Sequence, residues 1–197
     1  MEERYFIETM ITEEIAKTLT DSFGASVQTL DTNSYQVETE SFRLLVLLSD
    51  DQSWLRVLVP IAPVQEAQPY LEEFLEANFD TTQEVRYALH QDVLWGVFQH
   101  GLVGLTIADF TAAIQRLLAL NELGINDGFN TFAEKRIRQI IQAAKRQGQS
   151  LELTMQTLDR FYQEGMMGEM EIGTRSREEV LAAWQRQLER LWSEVEP

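Results

Sequence analysis

The apolar positions of this chain change period several times along its length, and each change marks an element. Ile11, Ile15, Leu19 and Phe23 fall four apart and stop at Gly24, which predicts a short amphipathic helix over Thr12–Phe23 ended by a glycine. The period then drops to two. Val27 to Leu30 is a brief strand candidate, and Ser34 to Glu40 alternates Tyr35, Val37 and Thr39 with Gln36, Glu38 and Glu40. Phe42 to Leu48 is nearly continuous apolar, and Trp54 to Ile61 sets Leu55, Val57, Val59 and Ile61 against Trp54, Arg56 and Leu58, closed by Pro60 and Pro63. The links Asp31-Thr32-Asn33 and Ser49-Asp50-Asp51-Gln52-Ser53 consist of residues whose side chains satisfy the backbone of turns, and they suit hairpins.

Between Pro63 and Asn78 a second helix is expected, with Val64, Ala67, Leu71, Phe74 and Leu75 as its apolar set. Pro69 stands in its first turn or divides it, because a proline deeper in a helix costs about 3 kcal/mol. From Asn78 to Leu120 the pattern reads as a hairpin followed by a capped helix. Val85, Tyr87 and Leu89 alternate with Glu84, Arg86 and His90, and the strand pattern restarts at Val93 after Gln91-Asp92. Thr106 is placed to accept from the amide of Asp109, which reaches back as a short capping-box acid, and Ile107, Phe110, Ile114, Leu117 and Leu118 form one apolar face. Helices segregated from runs of strands in this way predict an α+β domain with an antiparallel sheet, ending near Leu123.

The segment Asn121 to Gly128, with two glycines and two asparagines, is the expected boundary, and from residue 124 to 197 the pattern becomes all-helical. Thr131 with Glu134 reads as a capping box for a helix to Gln147, Leu151 to Gln163 as a second, and Ser176 with Glu179 as the start of a third. The third carries Val180, Trp184, Leu188, Leu191, Trp192 and Val195 on one stripe, which needs a covering surface, either this chain's own sheet or a second copy. Met166 and Met167, between glycines, are adaptable contacts for the tail or for a partner. The bases Lys135, Arg136, Arg138, Lys145 and Arg146 are expected to dock against the acidic first domain while the neighbouring isoleucines pack.

Charge sharpens this picture. The formal charge of −16 is concentrated in residues 1–124, which hold 20 acids and 6 bases. An acidic surface of this kind keeps a protein soluble or steers a basic partner, and it disfavours nucleic acid, whose binding depends on lysine and arginine displacing counterions. No apolar run approaches the roughly 20 residues of a membrane span, and the first ten residues carry acids where a signal peptide has bases. With no cysteine, disulfides, thiolate metal sites and cysteine nucleophiles are absent, and the chain reads as a cytoplasmic protein.

Candidate chemistry is thin. His90 and His100 have no carboxylate or second histidine at ligand spacing, and Glu72-Glu73-x-x-Glu76 reads as a solvated helix face because a di-metal carboxylate site also needs histidines on facing helices. Asp50-Asp51 lacks the further oxygens of a calcium loop. Gly101-Leu102-Val103-Gly104 is too short for a phosphate loop and has no following lysine, and no serine stands in a nucleophile elbow. No metal, no cofactor and no enzyme activity are expected.

The residues Leu55-Arg56-Val57-Leu58-Val59-Pro60, Asn78-Phe79, Val85 to Leu89, Val93-Leu94-Trp95-Gly96-Val97 and the Thr106-x-x-Asp109-Phe110 helix start, taken in this order, resemble the type III secretion chaperone fold, which the YbjN-like proteins share. The resemblance covers about residues 11–123. It implies a helix, a three-stranded run, a crossover helix, a hairpin and a last helix, in a small, often dimeric, non-enzymatic protein that holds an extended client segment. The expectation is therefore a protein-binding adaptor that captures an apolar client segment through Phe42, Leu44, Trp54, Leu58, Trp95 and Phe98, aligns it by sheet-edge hydrogen bonds and selects basic clients by its acidic surroundings. Met166, Met167, Trp184 and Trp192 are the expected partner or tail contacts. A small apolar ligand held between sheet and tail, or a structural role in a larger complex, are the alternatives.

Overall fold

The computed structural model describes residues 10–163 and 177–197. The chain divides into two compact units, Met1–Asp127 and Gly128–Pro197. The first opens with α1, Thr12–Phe23, where Glu14 reaches back to accept from the Ile11 amide at 3.0 Å and Gly24 takes a left-handed turn at φ 56°. Four strands follow: β1 Val27–Asp31, β2 Ser34–Glu38, β3 Arg43–Leu48 and β4 Trp54–Pro63. The crossover is divided at Pro69 into α2, Val64–Ala67, a 3-10 turn, Gln68–Tyr70, and α3, Leu71–Asp80. The hairpin β5 Arg86–His90 and β6 Val93–Gly101 leads to α4, Ile107–Leu123. Thr106 accepts from the Asp109 amide at 3.1 Å, as its position in the sequence predicts. The run before the crossover thus has four strands, one more than the resemblance implies.

All six strands form one antiparallel sheet in the order β1-β2-β3-β4-β6-β5, with the hairpin folded back so that β6 pairs with β4 and β5 takes the edge. The turns behave as their composition requires. Asp31 accepts from the Asn33 amide at 2.7 Å, and Asp51 accepts from the Ser53 amide at 3.1 Å. Gln91 and Asp92 both take positive φ, 48° and 60°, the two-residue turn whose twist matches a hairpin. Pro60 does not end β4. It stands beyond the last residue that β4 pairs with β3 and at the register shift between Pro60 and Ala62 opposite β6, where no continuous ladder needs its missing N–H.

One face of the sheet is covered. Tyr35, Val37, Leu44, Val46, Leu55, Val57, Val59, Leu94 and Phe98 are buried with Ile15 and Leu19 of α1, Phe74 of α3 and Phe110, Ala113, Ile114, Leu117 and Leu120 of α4. The buried stripe of α4 takes Ala113 and Leu120 in place of Ile107, which is exposed, and Leu118, which is half-buried. Gly96 fixes how closely α4 approaches: a methyl group there would lie 2.9 Å from Val59 Cγ1 and 3.2 Å from Leu117 Cδ2. Asn121 fastens the end of α4 to β4, its amide donating to the Pro60 carbonyl at 2.8 Å.

In the tail, α5 spans Asn126–Arg146, α6 Leu151–Gln163 and α7 Arg177–Trp192. The expected boundary loop is only a turn at Gly124 (φ 57°), because α5 begins at Asn126, so Thr131 is helix interior and no capping residue. Gly128–Pro197 has its own core of Ile137, Ile141, Leu158, Leu188 and Leu191, with Trp192 and Val195 packed against it. Two of the bases expected to face the acidic domain make contacts inside this unit. Lys145 donates to the Trp192 and Val195 carbonyls at 2.6 and 2.7 Å, where a cation complements the end of α7, and Arg138 pairs with Glu134 and Glu194 at 2.9 and 2.8 Å. Arg190 reaches the same Glu134 at 2.7 Å, and hydrogen bonds from Arg190 and Arg138 hold its carboxyl below the usual carboxylate range.

Candidate binding face of the sheet

Strand alternation gives the sheet a second face, and its composition is unusual. The residues that alternate with the buried set are Gln36 and Glu38 on β2, Arg43, Leu45 and Leu47 on β3, Trp54, Arg56, Leu58 and Pro60 on β4, Val93, Trp95, Val97 and Gln99 on β6, and Arg86, Ala88 and His90 on β5. The solvent face of an antiparallel sheet is ordinarily polar. Here Leu45 lies directly opposite Leu58, and Leu58 opposite Val97, an apolar row across three strands that passes to Gln36 at one end and Arg86 at the other. The next row places Pro60 opposite Trp95 and Trp95 opposite Ala88. Leu45, Leu47, Leu58, Trp95 and Val97 are all half-buried, where the residues alternating with them are buried.

Polar side chains frame this strip. Arg56 donates through Nε and Nη2 to Gln99 Oε1 at 3.1 and 3.0 Å and lies over the Trp54 ring at 5.2 Å. Trp95 donates its indole N–H to the His90 carbonyl at 3.0 Å, which fixes the ring against the hairpin. Between them is an open hollow of about 260 Å³ floored by Leu58, Ala88, Trp95 and Val97 and rimmed by Arg56, His90 and Gln99.

The six residues expected to hold a client divide between the faces. Trp54, Leu58 and Trp95 lie on the open one, Leu58 and Trp95 lining one hollow and Trp54 standing outside it. Leu44, with no exposure, and Phe98, 3 % exposed, lie on the covered face and are core. Phe42 stands in the β2–β3 connection, half-buried, edge-to-face with Phe23 at 5.8 Å. Leu45, Leu47, Val97 and Arg56 also belong to the face, beyond the six residues expected from the sequence. The signal was available in β4, where the side bearing Arg56 also bears Leu58. Trp192 packs on the tail's own core, whereas Met166, Met167 and the side chain of Trp184 lie outside the described residues.

The sheet has two edges, β1 and β5, and the second is partly taken. At β5 the Asn78 side chain acts as a short piece of strand: its Nδ2 donates to the Tyr87 carbonyl at 3.0 Å and its Oδ1 accepts from the Tyr87 amide at 2.7 Å. A client strand cannot use those groups while Asn78 holds them. The Tyr87 phenol is pushed well above its ordinary value by burial and by the Asp127 carboxylate, to which it donates at 3.2 Å. Beside this edge α3 presents Phe79, 91 % exposed, and Leu75 next to an open hollow of about 200 Å³. Glu73 is only 5 % exposed, so Glu72, Glu73 and Glu76 do not share one solvated face. Among the described residues no three histidine, cysteine, aspartate or glutamate side chains converge as metal ligands, and no helix is long and apolar enough to cross a membrane.

No family model matches the chain, and no curated protein matches it. Solved structures do. The chain is similar to a chain of the ExsC–ExsE complex, at 14 % identity over 57 % of this chain and 92 % of that one, with a TM-score of 0.47. It is likewise similar to a chain of the HopA1–SchA chaperone–effector complex, at 14 % identity, 59 % and 98 % coverage and a TM-score of 0.44. A third likeness is to the structure of the Yersinia pestis type III secretion chaperone SycH with a stable fragment of YscM2, at 12 % identity, 56 % and 95 % coverage and a TM-score of 0.45. At these values the α+β architecture stands on its own strand order and register.

Proposed function

We propose that this chain is a non-enzymatic, chaperone-like adaptor that holds an apolar segment of a client protein against the open face of its sheet. The observation that carries the reading is the row Leu45, Leu58 and Val97 in direct register across three strands, flanked by Trp95 and left half-buried. A rigid sheet presenting contiguous apolar side chains inside a polar frame has the anatomy of a protein interface, with aromatic and aliphatic anchors at the centre. The client lies across the face and draws its affinity from these anchors. It does not extend the β5 edge, where Asn78 already satisfies Tyr87.

A small apolar ligand is less well served. The hollow of about 260 Å³ is open, below the roughly 300–1,000 Å³ within which pockets enclose drug-sized molecules. The test is capture of a client from native extract by the full chain, repeated with Leu58→Glu and with Trp95→Glu. Each replaces an anchor on the open face and leaves the buried face intact. The reading predicts that a stoichiometric client is retained by the parent chain and that its affinity falls about thirtyfold or more in either variant, the loss typical of a central anchor. Unchanged capture by both variants, each with its native circular dichroism, would place the binding site elsewhere.

A further inference from the structure

Resting on the reading that the open face binds a client, we infer that its occupant is an acidic apolar segment, one in which carboxylates flank an aromatic or aliphatic residue. The acid-rich composition of the chain points the other way, toward basic partners, but the sheet distributes its few cations unevenly. Residues 1–124 contain 20 acids and only 6 bases, and three of those bases, Arg43, Arg56 and Arg86, stand at alternating strand positions on this one face. Among the described positions of the face on β2 to β6, the only carboxylate is Glu38, and it is spent on Arg43 at 2.5 Å.

Arg56 and Arg86 have no carboxylate partner among the described residues. Arg56 contacts a neutral amide oxygen and a tryptophan ring, and Arg86 contacts the Gln83 and Val85 carbonyls. Each guanidinium has five N–H donors, so the outward ones stay available for a carboxylate. The register sets their spacing. Arg86 shares the row of Val97 and Leu58, while Arg56 shares the next row with Gln99. They are two strands and two residues apart, about 12 Å between backbones on ordinary sheet spacings. The hollow over Leu58, Trp95 and Val97 has Arg56 on its rim, and Arg86 stands outside the rim, paired with Val97 of its floor. An apolar side chain seated there would have Arg56 beside it, and a segment running on across Val97 would reach Arg86.

The many acids elsewhere do not cancel this preference. At physiological salt the screening length is about 8 Å, so charges across the domain act weakly at the face, while groups in contact with the client act fully. A basic segment would instead meet, at close range, two arginines that have no carboxylate partner among the described residues, a juxtaposition that interfaces select against.

The experiment uses the full chain and two fluorescein-labelled 11-residue peptides with the same central phenylalanine and leucines, one with glutamates at the flanking positions and one with lysines. Fluorescence anisotropy at 0.15 M salt is expected to give about tenfold tighter binding of the glutamate peptide. That preference should shrink at 0.5 M salt and vanish in the doubly substituted Arg56→Gln, Arg86→Gln chain, folding being checked by circular dichroism. Equal binding of both peptides, abolished in each case by Leu58→Glu, would overturn the charge assignment and leave the binding face standing. Binding of neither peptide, or binding that Leu58→Glu does not alter, would overturn both.

Discussion

On one face of the sheet Leu44, Val46, Leu55 and Val57 lie under helices. On the other, Leu45, Leu47 and Leu58 come from the same strands, one residue away, and stay half-buried. Chemically the two sets are close to interchangeable. What separates them is cover: the first is closed by α1, α3 and α4, whose apolar stripes spend themselves on that side. Apolar character alone therefore assigns neither set a role. Burial against the chain's own helices makes one set the source of stability, and the half-buried set is the one the proposed function assigns to a client.

The largest expected effect breaks the covered face. Leu44→Ala should destabilise the domain by about 2–5 kcal/mol in urea unfolding, since it removes a fully buried side chain and leaves a cavity, whereas Leu45→Ala, next to it but open, should cost less than about 1 kcal/mol. A comparable loss from both would erase the distinction between the faces. Gly96→Ala comes next, at about 1–3 kcal/mol, because the new methyl group meets Val59 and Leu117 at distances that force α4 or the β-branched side chain to shift. Asn78→Ala should cost about 1–2 kcal/mol by leaving the Tyr87 amide and carbonyl unpaired, and it should raise self-association in sedimentation by opening the β5 edge. The paired change Gln91→Asn and Asp92→Gly should stabilise by about 0.5–1 kcal/mol, since both positions hold positive φ that those residues adopt more easily.

The smallest effect concerns the tail. Glu134 has a lowered folded-state pKa, so its contribution is present above the ordinary value of 4.5 and is lost as pH falls from there through the lowered value. Thermal melts of the full chain should show a second-unit transition that weakens over this range, and Glu134→Gln should flatten its pH dependence. A wild-type pH profile in the variant would mean that the Arg138 and Arg190 pairs contribute nothing.

Much of this architecture was legible in the chain. The helix over Thr12–Phe23, the divided crossover at Pro69 and the Thr106 cap follow from local spacing and turn chemistry, which act over a few residues. The assignment of faces was not. Phe42 to Leu48 and Val93 to Phe98 are apolar at both parities, so alternation cannot say whether Leu44 or Leu45, Phe98 or Val97, turns inward. β2 with Gln36 and Glu38, β4 with Arg56 and β5 with Arg86 and His90 mark their open sides, and pairing carries that mark to β3 and β6. The tail misled for a related reason. Thr131-x-x-Glu134 has the form of a helix start, but α5 was already under way from Asn126, and Glu134 answers arginines of α5 and α7. The distribution of arginine on the open face was invisible to net charge, which sums over all directions.

The central claim is that the open face, and not the covered face or the α3 edge, receives the client. The most direct measurement places a photo-activated cross-linking residue at Val97, at Leu75 and at Leu153 of the full chain, one position per variant, and irradiates each in native extract. The account predicts one dominant adduct of the same mass from Val97 and none of that mass from Leu75 or Leu153. An adduct formed at Leu75 and absent at Val97, with all three variants folded, would contradict it.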